Sequence, residues 1–251
     1  MRSVAPIRRV GLARALSKLG YCSRSRASEL IRAGRVTLNG KISRNPEAPV
    51  SLDEDSICVD SYPLPDPGKV YWMLNKPRGV VTTAADEKNR RTVYSCLPDG
   101  LPWMGPVGRL DKASEGLLLL TNDSVWSARL LAPQTHLDKT YHVQVAGLIG
   151  ASVIESLTRG MLMPEGARLS AKKVRLLRQG DRNSWLEIVL DEGKNRQIRR
   201  MLEQLGIGVL RLVRVAIGSL TLGDLAKGAA RPLTAPEKSA LDRAMKGNVA
   251  R

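Results

Sequence analysis

The sequence predicts an α+β fold in two parts, a small N-terminal α/β domain and a larger domain with a mostly antiparallel, mixed sheet flanked by helices. Three features support this: two short amphipathic helices followed by a hairpin, a proline-rich stretch after residue 61, and apolar strands mixed with helices beyond it. At 251 residues the chain is long enough for two modest domains. We expect domains over residues 9–62 and 70–240, a linker over 63–69 and a basic tail over 241–251.

The composition of the chain predicts a polyanionic partner. Lys and Arg number 40 against 24 Asp and Glu, a net charge of +16. A hydrophobic content of 43% excludes a wholly disordered chain, and no apolar run is long enough to cross a bilayer, so we expect no membrane association. The three cysteines are far apart, which argues against a disulfide framework and fits a reducing cytoplasm.

The first elements are two helices and a hairpin. Apolar residues at helical spacing predict a first helix that ends at Gly20, and Ser23 is placed to cap a second helix that ends at Gly34. The two apolar stripes are Leu12, Ala15, Leu16 and Leu19, then Ala27, Leu30 and Ile31. Asn39-Gly40 between two short apolar segments predicts a hairpin with a type I′ turn.

More than half of the excess charge lies in residues 1–50, which carry a net charge of +9. Such a surface holds phosphates or, alternatively, only aids solubility. The segments Gly20-Tyr-Cys-Ser-Arg24 and Gly34-Arg-Val-Thr-Leu-Asn-Gly40 closely resemble the S4 RNA-binding module over about residues 10–60. That resemblance implies that Arg24, Arg26 and Arg35 contact RNA.

The larger domain begins after three prolines and a glycine between Tyr62 and Gly68, a stretch that favours neither helix nor central strand. The pattern beyond it predicts strands at Val70–Leu74, Leu117–Leu120, Tyr141–Val145 and Trp185–Leu190, and helices at Ser124–Leu131, Ala151–Leu157 and Asn195–Leu205.

A glycine-rich loop before the Leu117–Leu120 strand is the strongest candidate for chemistry. Its glycines permit sharp turns, and Arg109 and Asp111 place opposite charges two residues apart. By charge alone, the preferred interpretation is that Asp111 caps a turn and Arg109 faces solvent.

A second basic cluster lies in the helix predicted at 195–205. Ile198, Met201 and Leu202 belong to its apolar stripe, and Arg196, Arg199 and Arg200 lie on the other side. These arginines either contact RNA phosphates, supply a partner to an acidic catalytic residue, or form an ordinary solvated face.

In chain order, these segments closely resemble the motifs of the pseudouridine synthases, in the branch that modifies ribosomal RNA and carries an S4 module. The matching segments are Asn75-Lys-Pro-Arg-Gly79, Gly108-Arg-Leu-Asp111, Ser114-Glu-Gly-Leu-Leu118, Lys139-Thr-Tyr141 and Glu192-Gly-Lys-Asn-Arg-Gln-Ile-Arg-Arg200.

The resemblance implies a role for each matching side chain. Asp111 is expected to be the essential catalytic residue, Arg199 to pair with it, and Tyr141 to pack on the target base. Substrate contacts are expected from Leu212, which lines the pocket, from Arg109, which fills the space left by an extruded nucleotide, and from Arg196 and Lys76.

The implied reaction breaks the C1′–N1 bond of uridine and joins C1′ to C5, so we expect neither a metal nor another cofactor. His136 and His142 are then ordinary polar residues. We expect a cytoplasmic monomer acting on ribosomal RNA of the small or large subunit, free or in an assembly intermediate. The alternative is a non-enzymatic S4-type RNA-binding or ribosome-assembly factor, and DNA binding is a weaker third interpretation.

Overall fold

The computed structural model describes residues 9–64, 68–84, 88, 90–135 and 137–247. It separates into two compact units. The first contains the described residues up to Tyr71 together with Pro98–Gly105 and Leu120–Val125, and the second contains the rest. Two segments beyond the predicted linker thus belong to the first unit. Residues 65–67 of that linker, His136 and the end of the predicted tail, 248–251, lie outside the described residues.

The first unit contains the predicted pair of helices and the hairpin. Ser23 caps the second helix by accepting a hydrogen bond from the Arg26 amide at 3.2 Å. Asn39 and Gly40 have φ of 51° and 78°, as a type I′ turn requires. The elements are β1 (Val10–Gly11), α1 (Leu12–Lys18), α2 (Arg24–Arg32), β2 (Val36–Leu38), β3 (Lys41–Ile42), β4 (Pro49–Val50), β5 (Ile57–Val59) and β6 (Tyr62–Pro63).

The core of this unit is aliphatic. The apolar stripes of α1 and α2 pack with strand residues such as Val36 and Val59, and Leu12, Leu16 and Ile31 are fully buried. Strands β3, β2, β5 and β6 form one sheet in that order, and β1 pairs with β4. Both predicted helices and the hairpin are confirmed.

A larger sheet forms the centre of the rest of the chain. The strands of this part are β7 (Tyr71–Lys76), β8 (Gly105–Val107), β9 (Glu115–Thr121), β10 (Lys139–Ala146), β11 (Met161–Leu162), β12 (Arg168–Leu169), β13 (Lys173–Gln179), β14 (Asn183–Leu190), β15 (Val209–Ile217), β16 (Leu220–Thr221) and β17 (Ala230–Pro232). The main path of the sheet runs β13-β14-β10-β15-β9-β7-β17, with β16 paired to β15 and β8 to β9. The β15–β9 pair is parallel, and the pairs β10–β14, β10–β15, β13–β14, β15–β16 and β7–β17 are antiparallel, which confirms the predicted mixed sheet.

Helices flank this sheet, as predicted. They are α3 (Ser124–Leu131), α4 (Ala151–Arg159), α5 (Gln197–Gln204) and α6 (Ala235–Gly247). The predicted start of α5 at residue 195 is wrong, because Arg196 has a left-handed backbone with φ of 48° and the helix begins after it. Residues 241–247 continue α6 rather than forming a tail, since Leu241 and Met245 are buried one helical turn apart.

Strands β13, β14, β10 and β15 have two distinct faces. In β14, β10 and β15, alternate residues such as Val143, Leu186 and Leu212 are buried and most of the residues between them are half-exposed, whereas β13 is exposed except at Val174. The buried face meets α5 along its apolar stripe of Ile198, Met201 and Leu202. Among the described residues, no helix is long and apolar enough to cross a membrane.

Candidate active site

The loop between β8 and β9 carries Asp111 and is fixed by hydrogen bonds to its backbone. The amide of Gly79 donates to the carbonyl of Lys112 at 2.8 Å. The Thr82 hydroxyl donates to the Leu110 carbonyl at 2.8 Å and accepts from the Leu110 amide at 3.3 Å. The segment after β7 therefore positions the loop.

Lys76, at the end of β7, also stabilises this loop through hydrogen bonds to its backbone. Its side chain is fully buried, and Nζ donates to the carbonyls of Asp111 at 3.1 Å, Ser114 at 2.8 Å and Pro77 at 3.1 Å. Burial lowers the pKa of Lys76 to about 8. The predicted substrate contact of Lys76 is therefore wrong for this conformation, because a fully buried ammonium cannot reach RNA.

The parallel pairing of β9 with β15 places the Asp111 loop, which leads into β9, close to β15. Arg214 lies opposite Gly116, which has φ of 101°. A Cβ atom at Gly116 would lie 2.2 Å from the carbonyl oxygen of Arg214, so only glycine permits this approach.

Asp111 faces two arginines at the start of α5. Its Oδ2 lies 3.8 Å from Arg196 Nη1, and its side chain is 38% exposed. Arg199 instead donates from Nη2 to the carbonyl of Ala113 at 3.0 Å. The predicted ion pair thus involves Arg196 in this structure, although Arg199 is close enough for its charge to interact with that of Asp111.

The electrostatics of Arg199 reflect its position between loop and helix. Burial and the neighbouring charge of Arg196 lower its pKa, and Asp111 opposes that effect. Among the described residues, no group accepts a hydrogen bond from the buried Arg199 Nε. Arg199 Nε is therefore a buried donor that these contacts leave unused.

A cleft of about 620 Å³ opens in front of Asp111. Tyr141 from β10 and Leu212 from β15 form part of its wall and are at most 9% exposed. The cleft brings together six of the predicted site residues, which are Arg109, Asp111, Tyr141, Arg196, Arg199 and Leu212. Its size suits one nucleotide, and its wall combines an aromatic ring with several cations.

Charged residues outside the predicted set also line the cleft. Lys139 and Arg214 add positive charge, and burial, then the charge of Arg214, lowers the pKa of Lys139. Arg214 donates from Nε to the carbonyl of Leu117 at 2.7 Å. The sequence offers no signal for Arg214, because this arginine interrupts the apolar residues of its strand.

Glu192 is a second carboxylate in the cleft wall. Its Oε1 lies 3.0 Å from Lys194 Nζ and accepts a hydrogen bond from Gln197 Nε2 at 3.0 Å. A glycosidase uses two carboxylates as its acid and its base or nucleophile. Here Glu192 is engaged by Lys194 and Gln197, whereas Asp111 has one ion pair at 3.8 Å, so Asp111 is the better candidate for a reacting carboxylate.

The predicted RNA contacts of the first unit lie on its surface. Arg24, Arg26 and Arg35 are all exposed. Arg26 pairs with Glu29 at 2.8 Å, and Arg35 binds both carboxylate oxygens of Asp60. The hydrogen bonds that Arg35 donates to Asp60 raise the pKa of Arg35. Among the described residues, Arg24 has no such carboxylate partner.

Comparison with known proteins assigns the two parts of the chain. Residues 70–204 match the family model of RNA pseudouridylate synthases, and residues 10–57 match the S4 domain. The chain belongs to the RNA pseudouridylate synthase family. The residues that line the Asp111 cleft lie within the segment that matches the synthase family model, except for those of β15, which follows that segment in the chain.

Relatives in this family extend over almost the whole chain. A protein of Bacillus subtilis named ribosomal large subunit pseudouridine synthase B is 37% identical over 227 residues, 90% of this chain and 93% of its own. A protein of Aquifex aeolicus described as an uncharacterized RNA pseudouridine synthase is 35% identical over 231 residues, 92% of each chain. A crystal structure of a pseudouridylate synthase has 30% identity and a TM-score of 0.64, covering 92% of this chain and 99% of that one.

Proposed function

We propose that this pseudouridine synthase isomerises a uridine of ribosomal RNA, with Asp111 as its catalytic residue. The observation that carries the proposal is the meeting of Asp111, Tyr141 and Arg199 in one cleft. The name of the Bacillus subtilis relative favours large-subunit RNA as the substrate. The domains that we propose remain an RNA-binding domain over 9–62 and a catalytic domain over 70–240.

The chemistry needs one ionised carboxylate and a base that has left its stack. The C1′–N1 bond breaks, the uracil turns, C1′ bonds to C5, and the hydrogen of C5 is lost while N1 gains one, so the atoms balance. Arg196 Nη1, 3.8 Å from Asp111 Oδ2, places a positive charge beside this carboxylate. Tyr141 offers a ring for the extruded uracil, and stacking offsets part of the few kcal/mol that extrusion costs.

Arg109 and Leu212 act at the edge of this reaction centre. Arg109 is exposed, lies two residues before Asp111 and lines the cleft, so it is placed to occupy the gap that the uridine leaves. Leu212 is an apolar contact for the base. Arg24 and Arg26 on α2 position RNA through its phosphates without reading its sequence.

The experiment replaces Asp111 by Asn and maps pseudouridines in ribosomal RNA from cells with the wild-type gene, the variant or no gene. We expect one pseudouridine that is present with the wild-type gene and is missing both with D111N and without the gene. Glu192→Gln is the matched control, since it changes the other cleft carboxylate and should retain modification. An RNA map that is the same with and without the gene would instead favour a non-enzymatic RNA-binding or assembly factor.

We also propose that the enzyme works as a cytoplasmic monomer. The three separated cysteines support a reducing compartment, and all are free thiols in the structure. Sedimentation of the purified protein tests the monomer, with a dimer mass as the contradictory result.

A further inference from the structure

Strands β13, β14, β10 and β15 carry a second concave surface, on the face of the sheet opposite Tyr141 and Leu212. We call it the outer groove. It has a volume of about 430 Å³ and is lined by residues that include His142, Leu177, Arg178, Trp185, Arg211 and Val213. None of these residues lines the catalytic cleft.

Trp185 and two arginines form the centre of the outer groove. The strand register places Arg178 beside Trp185, then Gln144, then Arg211, in one row across four strands. The Arg178 guanidinium lies 5.2 Å from the centre of the indole ring, and that of Arg211 lies 6.0 Å away. At these distances the ring attracts both cations and limits their motion.

The charges around the outer groove favour an anion. Arg211 binds both oxygens of Glu115, which also pairs with Lys227 at 2.7 Å. Burial opposes the ionisation of Glu115, but the hydrogen bonds from these two cations outweigh it and lower its pKa. Arg178 is exposed and, among the described residues, has no carboxylate partner. Its donors are therefore available to a ligand.

The two carboxylates near the groove do not cancel its positive charge. Glu187 pairs with Arg175 at 2.8 Å, and Glu115 is shared between two cations. With Arg178 added, four cations face two carboxylates. Leu177 and Val213 supply apolar surface beside the indole.

We propose that the outer groove is a second RNA-binding site, which holds a phosphodiester through Arg178 and Arg211 and packs the attached nucleotide against Trp185. Phosphate binding by arginine with an aromatic contact to the nucleotide is a general mode of RNA recognition. A second copy of the chain is a poor occupant, because both copies carry +16. The proposal rests on the proposed function for its choice of RNA, and its site lies outside the catalytic cleft.

The first test measures binding of a large-subunit ribosomal RNA transcript by full-length D111N protein, so the outcome does not depend on catalysis. We expect Arg178→Gln to raise the Kd about three- to tenfold at low salt and to reduce the slope of log K against log salt by about 0.7–0.9, the change that follows from loss of one phosphate contact. Arg243→Gln, which removes an exposed arginine of α6, is the matched control. Equal Kd values and slopes for the two variants would overturn the proposal.

The second test identifies the contact directly. Ultraviolet irradiation of the D111N complex with the same transcript should cross-link RNA to the β14 peptide that contains Trp185, and Trp185→Leu should remove that cross-link. Cross-links confined to other peptides would contradict the outer groove, as would capture of a ribosomal protein by this face with no RNA contact.

A kinetic test uses the enzyme with Asp111 intact. There, Arg178→Gln should raise KM for pseudouridine formation and leave kcat unchanged. Absence of pseudouridine in the wild-type reaction would refute the proposed function, while the binding and cross-linking results would still decide on the groove.

Discussion

Replacement of the buried Lys76 by Met tests how the catalytic loop is held. Met fills a similar volume but cannot donate to the carbonyls of Pro77, Asp111 and Ser114. Each buried carbonyl left without a donor costs about 1–3 kcal/mol, and removal of a buried charge offsets part of that total. We therefore expect the free energy of unfolding at pH 7 to fall by about 3 kcal/mol.

The same substitution should also reduce catalysis, because Asp111 loses one of the bonds to its own backbone. A displacement of about 1 Å at a reacting group costs about 100-fold in rate, and we expect kcat for pseudouridine formation to fall by about that factor. Urea denaturation and single-turnover assays measure the two effects. Lys112→Met is the control, since Lys112 is an exposed lysine of the same loop.

The pH dependence of stability provides an independent check. Lys76 has a pKa of about 8 in the folded protein and an ordinary value of 10.5. Between these values the unfolded chain binds more protons than the folded one, so the contribution of Lys76 to the free energy of unfolding rises with pH. The difference in unfolding free energy between wild type and K76M should grow by about 3 kcal/mol from pH 7 to pH 10.5. The reasoning is refuted if K76M matches K112M in stability, rate and pH dependence.

Two further substitutions test the close approach at β9 and the basic face of α2. Gly116→Ala should lower the free energy of unfolding by more than about 3 kcal/mol, because its Cβ would lie 2.2 Å from the Arg214 carbonyl. Gly147→Ala, at a similar φ of 83° with open space around it, should cost only about 1 kcal/mol in urea denaturation, and equal costs would contradict this steric account. Replacing Arg24 and Arg26 by Gln should weaken RNA binding uniformly across sequences and reduce the salt slope by up to about 1.8, with kcat maintained at saturating RNA. An unchanged slope in filter-binding assays would exclude α2 from the RNA interface.

The sequence predicted which residues form the candidate site better than it predicted the contacts among those residues. Arg109, Asp111, Tyr141 and Arg199 follow from motifs whose residue types and order are visible in the chain, and the cleft contains all four. The partner of Asp111 was harder to predict, because the left-handed backbone of Arg196 changes which arginine reaches the carboxylate. Motif order carries no information about that angle.

Lys76 shows a second limit of sequence reasoning. Lysine is rarely fully buried, so a lysine in a motif of an RNA-binding chain is naturally assigned to phosphate. Its burial depends on three carbonyls that come together only in the folded loop. A lysine side chain gives no sign in the sequence of such a set of acceptors.

The fold was predictable where the periodicity was clear. The pattern around Ser124–Leu131 gave the correct bounds of α3, and the capping and turn residues of the first unit gave its helices and hairpin. Strands β13 and β15 escaped prediction because arginines interrupt their apolar residues. In β15 an arginine even occupies the buried face, where tertiary contacts rather than hydrophobicity hold it.

Because neighbouring residues of β10 and β15 serve opposite faces, a change in chain length within these strands would move side chains from one face to the other. Tyr141 and Leu212 line the cleft, while His142 and Arg211, one position away, line the other face. Insertion or deletion of a single residue would exchange the two sets and remove both surfaces at once. Length variation among homologues should therefore be confined to the turns, and substitutions in the strands should be tolerated in a pattern that repeats every second residue.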